Sequence, residues 1–251
     1  MKAIILAAGQ GSRMGLETQH KPKCMIEYKG RSLINHTINT MRSCGVNDII
    51  IVNGYKKEIL ESHLCDEKVK FFTNMRFEKT NMVHTLFCAE SDMNDDILIS
   101  YGDIIFSKNV LKQIIKNKNS FTVTVDKNWL DLWKIRMNNP LEDAETMKID
   151  NNGNIIELGK KPKSYSQING QYIGLLKISN SILPKVKSFY HELDRSSIYD
   201  GKDFENMYMT SFIQLMIDSK IEVKADIICG GWLEFDSGKD IDAYNRNNLS
   251  F

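Results

Sequence analysis

Ala3-Ile4-Ile5-Leu6-Ala7-Ala8-Gly9-Gln10-Gly11-Ser12-Arg13-Met14-Gly15, with Lys21-Pro22-Lys23 close behind, decides the fold class. Ile4 to Ala8 is a continuous apolar run that begins with β-branched residues, the pattern of a strand buried on both faces of a parallel sheet. Gly9 and Gly11 let the chain turn sharply and leave backbone N–H groups open to an anion. Arg13 and Lys23 add fixed positive charge, Arg13 as a planar fork and Lys23 as a point charge. A buried strand, a glycine turn and two cations in that order suit a polyphosphate. The spacing is not that of a Walker A loop, because no Gly-Lys-Ser/Thr follows, and Met14 stands where the dinucleotide fingerprint needs its third glycine. A glycine after the first strand would by itself say only that the chain is α/β.

Working outward, strand and helix patterns alternate through the first half. Ser32 to Cys44 predicts an amphipathic helix, with Leu33, Ile34, Ile38 and Met41 on one face, and Asp48 to Asn53 predicts the next strand. Lys57 to Leu64 reads as a helix, Lys68 to Thr73 as a short strand, and Asn81 to Ser91 as a helix leading to a strand that ends at Asp103. This is the mononucleotide-binding half of a doubly wound fold, whose ligands sit outside the carboxyl ends of the strands, where Gly9 and Asp103 both fall. The second half differs in texture. Phe121 to Asp126 and Glu145 to Asp150 predict strands, and Asn151-Asn152-Gly153-Asn154 a turn into Ile155 to Leu158, which makes an antiparallel insert. Gln171 to Ser179 predicts a core strand, Phe204 to Ser219 a helix and Ile221 to Ile228 a late strand. The expectation is one α/β domain over residues 1–251, with a nucleotide-binding half of about 1–115 and an acceptor-binding half of about 116–251.

Composition narrows the partners. A net charge of +1 lacks the basic excess of a nucleic-acid-binding surface. The longest apolar runs are far too short to cross a bilayer, and the first one is cut at Gly9 before it reaches signal-peptide length. Cys24, Cys44, Cys65, Cys88 and Cys229 show no Cys-x-x-Cys pair, and the five histidines no metal-ligand spacing. A cytoplasmic chain with reduced thiols is expected, working on small molecules, and a homodimer stays open.

Leu6 to Met14 with Pro22-Lys23 resembles, without substitution, the signature of the nucleotidyltransferases that activate sugar phosphates and related phosphate esters. Ile97-Leu98-Ile99-Ser100-Tyr101-Gly102-Asp103 is similar to that family's second landmark, and Gly231-Trp232-Leu233-Glu234-Phe235-Asp236 to its Trp-x-x-x-Asp segment. The resemblance spans nearly the whole chain. It implies a Rossmann-like nucleotidyltransferase fold with a mixed, mainly parallel central sheet and a small antiparallel insert. It also implies Mg²⁺ as cofactor, held by Asp103 and Asp236, with Arg13 and Lys23 as the catalytic cations on the triphosphate. Nucleotide contacts are expected from Leu6, Ala7, Ala8, Gly9, Gly11, Ser12, Arg13, Lys23, Thr80, Asn81 and Gly102, the base lying against Ala7-Ala8 and the residues before the helix at Asn81.

Each assignment has a plainer reading. Asp103 after glycine suits an ordinary turn or helix cap, and Thr80 and Asn81 suit an N-cap. Glu234 and Asp240 lie near enough in sequence to stand in for Asp236, and Lys21 for Lys23. Trp129 and Trp133, at helical spacing, suit core packing.

Thr80-Asn81-Met82, Ser100 to Asp103, Gly159-Lys160-Lys161-Pro162 and Gly170 to Gly174 look like the branch that contains the phosphocholine, 2-aminoethylphosphonate and phosphoglutamine cytidylyltransferases. That branch implies CTP as donor and a small amine-bearing phosphate as acceptor, glutamine phosphate first, in capsule or surface polysaccharide modification. Acceptor contacts are expected from Trp133, Arg136, Lys160, Gln171 and Tyr172. Trp133 and the carboxylates from Glu142 to Glu145 would receive an ammonium, and Arg136 and Lys160 the acceptor's anionic end. A dinucleotide oxidoreductase and a nucleotide sensor without turnover are the readings from other classes.

Overall fold

The computed structural model describes residues 1–251. Strand β1 (Lys2–Ala7) carries Ala3, Ile4 and Ile5 at 0% exposure, so it is buried on both faces. Ile4 and Leu6 point to one side, Ala3, Ile5 and Ala7 to the other, as the two-residue period of a strand requires. Each side is then covered by helices. Against Ala3, Ile5 and Ala7 pack α1 (Leu33–Ser43), α2 (Lys57–His63) and α4 (Lys108–Lys116). Against Ile4 and Leu6 pack α3 (Met82–Phe87), α6 (Leu183–Glu192) and α7 (Met209–Asp218).

The other strands of the central sheet are β2 (Asp48–Asn53), β3 (Lys70–Thr73), β4 (Ile97–Tyr101), β6 (Phe121–Asp126), β9 (Gln171–Ile178) and β10 (Lys224–Ile228). Their order is β10-β6-β9-β4-β1-β2-β3. Every pairing is parallel except those of β9, which runs antiparallel to β4 and β6. The mixed, mainly parallel sheet read from the sequence is therefore present. It takes strands from both halves of the chain.

Four short antiparallel pairs lie outside it, and two of them bear on the site. The insert is β7 (Met147–Ile149) against β8 (Ile155–Leu158), joined through the predicted turn, where Asp150 accepts from the Asn152 and Asn154 backbones. The second pair, β5 (Ile104–Phe106) with β11 (Trp232–Glu234), matches Ile104 to Glu234 and so carries the chain after Asp103 beside the chain before Asp236. Met14, Tyr28, Ile105, Phe235 and Tyr244 form a separate small core that fastens the glycine loop, this pair and the last helix α8 (Gly238–Arg246) to one another.

Two predicted helices are shorter than expected. The one read from Asn81 to Ser91 ends at Phe87 and loosens into a 3₁₀ turn, Glu90–Asp92, where the Glu90 carbonyl accepts from Lys187 Nζ at 3.0 Å. The one read from Phe204 is broken at Met207, because the Glu205 and Asn206 carbonyls accept from the Asn81 backbone and side chain at 2.9 and 3.4 Å rather than continuing a helix. Helix α5 (Trp129–Arg136) had no counterpart beyond the tryptophan spacing.

Candidate active site

The site is built where β1 and β4 end side by side. The Gly102 N–H donates to the Leu6 carbonyl at 3.0 Å, and a Cβ at Gly102 would sit 2.8 Å from that oxygen, so only glycine lets the two ends meet. Gly11 has φ +71°, and a Cβ there would come within 2.7 Å of the Lys23 side chain. The loop thus folds over Lys23 and aims it inward.

Lys23 Nζ lies 2.6 Å from Asp103 Oδ2 and 3.0 Å from Asp236 Oδ1, with its side chain 12% exposed. Arg13 Nη2 reaches the same Asp236 oxygen at 2.8 Å but is 67% exposed. The two cations differ in freedom: Lys23 is fixed and desolvated, whereas Arg13 is a solvated arm whose surface ion pair holds it weakly. Burial works against the Lys23 charge, but Asp103 and Asp236 outweigh it and raise its pKa above the ordinary lysine value. Burial also opposes charge on Asp236, yet Lys23, then Arg13 and Arg136, hold its carboxyl below the usual range. Neighbouring Glu234 moves the other way, its pKa raised by burial and by the Asp236 charge.

These carboxylates suit a divalent cation of the hard type. Asp103 and Asp236 already converge on one ammonium, and Asp103 Oδ1 is buried with no hydrogen-bond partner. No third His, Cys, Asp or Glu joins them in ligating geometry. Mg²⁺ bound with a triphosphate needs only one or two protein carboxylates, its other positions going to phosphate and water. The residues fit Mg²⁺.

A cleft of about 220 Å³ opens beside this cluster. Leu6, Ala7, Ala8, Gly9, Gly11, Arg13, Lys23, Thr80, Asn81, Gly102 and Asp103 all line it, whereas Ser12 does not. Phe77, Met82, Thr85, Cys24 and Tyr101 complete the wall; Met82 and Tyr101 fall inside the motif blocks Thr80-Asn81-Met82 and Ser100 to Asp103, whereas Cys24, Phe77 and Thr85 carry no chemical signal in the sequence. Asn81 is the cap of α3, its side chain accepting from the Met82 N–H at 2.8 Å, and the residue also lines the cleft. Thr80 donates to the Arg76 carbonyl at 2.9 Å.

A second cleft of about 210 Å³ shares Arg13, Met82, Tyr101 and Asp103 with the first. Its far wall holds Trp133, Asp143, Glu145, Gln171, Tyr172, Tyr208 and Thr210. Gln171 clasps the Glu145 backbone, accepting from its N–H at 3.0 Å and donating to its carbonyl at 2.6 Å. Trp133 Nε1 donates to Asp143 at 3.1 Å. Burial, with Asp143 and Asp200 nearby, pushes the Glu145 carboxyl up to about 7.

Two residues expected at the acceptor lie elsewhere. The Arg136 side chain is 1% exposed and does not line this cleft, because its guanidinium is taken up behind the wall by Glu234, Asp236 and Asp240. Lys160 is 58% exposed and pairs with Glu157 at 3.6 Å on the outside of the insert. The charge pattern of the far wall is therefore acidic, with no lysine and no arginine other than Arg13.

Residues 3–155 match the family model described as the MobA-like NTP transferase domain. The chain is 46% identical over 249 residues to the CTP:phosphoglutamine cytidylyltransferase of Campylobacter jejuni, covering 96% of this chain and 98% of that protein. It is also 30% identical over 123 residues to the choline-phosphate cytidylyltransferase of Streptococcus pneumoniae, covering 49% of this chain and 53% of that protein. Two solved structures share the fold: the CTP:phosphocholine cytidylyltransferase from Streptococcus pneumoniae, with a TM-score of 0.79 at 21% identity over 99% of both chains, and the inositol-1-phosphate CTP transferase from T. maritima, with a TM-score of 0.77 at 21% identity over 98% of this chain and 95% of the other. No helix is long and apolar enough to cross a membrane. The glycine loop over Lys23, the paired strand ends and these similarities agree, and the chain belongs to the MobA-like NTP transferase family of nucleotidyltransferases.

Proposed function

We propose that this enzyme transfers a cytidylyl group from CTP to a small amine-bearing phosphate, glutamine phosphate first, with Mg²⁺ as cofactor, in capsule or surface polysaccharide modification in the cytoplasm. The observation that carries this reading is the full-length identity of 46% to a CTP:phosphoglutamine cytidylyltransferase. The acidic, aromatic far wall beside the glycine loop supports it, because an ammonium is attracted both by carboxylates and by ring faces.

In the reaction an acceptor phosphate oxygen attacks the α-phosphorus of CTP, a new P–O bond forms, and the bond to the departing pyrophosphate breaks. The acceptor phosphate is already an anion near neutral pH, so no general base is needed, and the task is to bring two anions together. Asp103 and Asp236 would hold the Mg²⁺, which supplies charge neutralisation on the triphosphate. Lys23 and Arg13 then exchange their carboxylate partners for phosphate oxygens. Arg13, which borders both clefts, is placed to meet charge that develops between donor and acceptor. Asp143 and Glu145 receive the acceptor's ammonium against Trp133, Tyr172 and Tyr208.

A pyrophosphate-release competition tests the acceptor. Amine-bearing phosphates are expected to exceed neutral sugar phosphates in kcat/KM by ~100-fold or more, the scale set when buried polar groups would otherwise be left unpaired. Glu145→Gln is expected to erase most of that preference. An ammonium binds the ionised carboxyl, so kcat/KM for the acceptor rises as pH passes through about 7, where Glu145 loses its proton. The Gln variant keeps only the titration of the acceptor's own phosphate. A neutral sugar phosphate as best acceptor, or a Gln variant with unaltered preference, contradicts this assignment.

A further inference from the structure

Arg136 lines neither cleft, yet two of its carboxylate partners, Glu234 and Asp236, line the acceptor-side one. Its guanidinium is spent on three carboxylates: Nη1 on Glu234 at 2.5 Å, Nη2 on Asp236 Oδ2 at 2.8 Å and Nε on Asp240 Oδ1 at 3.1 Å. Its plane also lies over the Trp133 ring, with Cζ 4.9 Å from the centroid. Asp240 Oδ2 in turn accepts from the Asp236 and Ser237 backbones at 2.8 and 2.7 Å, so the peptide that carries Asp236 is held from the same side.

The two oxygens of Asp236 consequently face different ways. Oδ2 is committed to Arg136, and Oδ1 meets Lys23 and Arg13, with Asp236 itself lining the acceptor-side cleft. A carboxylate so divided cannot rotate without breaking a buried, charge-assisted bond of the strong kind. Trp133, on the other face of the guanidinium, is a wall of the acceptor cleft and is pinned by Asp143. Asp143, Trp133, Arg136 and Asp236 thus form one continuous packed series from the acceptor wall to the cation-facing carboxylate.

We propose that Arg136 is a positioning residue. It aims Asp236 Oδ1 at the metal and ties that carboxylate to the acceptor wall, so metal affinity and acceptor use depend on the same guanidinium. The proposal rests on the reading of Asp236 as a metal-facing carboxylate, and outer-shell groups of this kind typically set ligand orientation and affinity.

Arg136→Lys tests it, because the charge stays while the planar fork is lost. Mn²⁺ binding is read by electron paramagnetic resonance in the presence of α,β-methylene-CTP, alongside thermal unfolding and acceptor kinetics. In the folded variant the Mn²⁺ dissociation constant is expected to rise by about 10–100-fold, with acceptor kcat/KM falling in parallel. Binding of the nucleotide analogue without metal should change less than ~2-fold, since Arg136 touches none of the nucleotide cleft. If the lysine variant does not fold, Arg136→Met combined with Glu234→Gln and Asp240→Asn removes the buried charges that would be stranded and leaves Asp236 unaimed. Mn²⁺ affinity within ~2-fold of the parent in a folded variant, whatever the loss of thermal stability, would reduce Arg136 to a purely structural role. The parent protein separates this from the proposed function: parent chain that binds Mn²⁺ with the analogue yet releases no pyrophosphate overturns the function and leaves the positioning result readable.

Discussion

Replacing Asp103 with alanine is expected to lower kcat/KM for Mg²⁺-dependent pyrophosphate release by ~10³–10⁴-fold, about 4–5.5 kcal/mol of transition-state stabilisation, with the fold retained. The asymmetry follows from how Asp103 is held. Its side chain serves no strand and no cap: Oδ2 meets only the Lys23 ammonium, Oδ1 meets nothing, and the link to β11 runs through the Asp103 backbone carbonyl, which accepts from Phe235. Alanine keeps that backbone bond. Lys23 keeps Asp236 as a partner. Activity measured against Mg²⁺ concentration, with thermal unfolding as control, checks the result. Near-normal turnover in a folded Asp103→Ala chain would remove Asp103 from the metal site.

Lys23→Met is expected to move two quantities in opposite directions. Turnover falls by ~10²–10³-fold, the usual cost of removing one preorganised donor from a developing charge. Metal binding without nucleotide becomes tighter, because in the ligand-free chain the ammonium sits between the two carboxylates that would take the metal. At an effective dielectric of ~20, a unit positive charge ~4 Å from a divalent ion costs about 8 kcal/mol, so even after large relief by movement of the side chain a gain of ~10-fold or more is expected. Methionine preserves the apolar stem that lies under Gly11. Mn²⁺ titration of the two nucleotide-free proteins reads the effect. Weaker metal binding in the methionine variant would show that Lys23 does not compete for the metal position.

The parts of this protein that were legible in its sequence are those in which short-range pattern and physical requirement coincide. β1 announces itself because a strand buried on both faces must be apolar without interruption, and the loop after it because Gly11 must adopt a positive φ over Lys23. Asp103 is marked by the glycine that lets β4 close on β1. Asp236 follows from the Trp-x-x-x-Asp pattern, and the β5–β11 register brings it to Asp103.

Other features depend on partners far along the chain. Arg136 looks like a free anion receptor until Glu234, Asp236 and Asp240 fold onto it, and no local spacing reveals that. Lys160 reads as an acceptor cation from its charge and its place in the Gly159-Lys160-Lys161-Pro162 block, and Glu157 three residues earlier takes it to the outer surface. Helix α5 hid because its apolar residues surround it: Trp129 and Trp133 enter one core while Leu132 and Ile135 lean on another, so there is no single stripe to see. The helix read from Phe204 to Ser219 was interrupted by Asn81, whose hydrogen bonds to the Glu205 and Asn206 carbonyls are invisible to periodicity.

The most direct measurement of the central claim is pyrophosphate release by the purified protein, crossing CTP, UTP, ATP and GTP with glutamine phosphate, phosphocholine, 2-aminoethylphosphonate and glucose 1-phosphate, with and without Mg²⁺. The expected result is release that requires Mg²⁺, is fastest with CTP and glutamine phosphate, and yields a CDP-linked product by mass. Release driven best by UTP and glucose 1-phosphate, or no release from any Mg²⁺-containing pair, would contradict it.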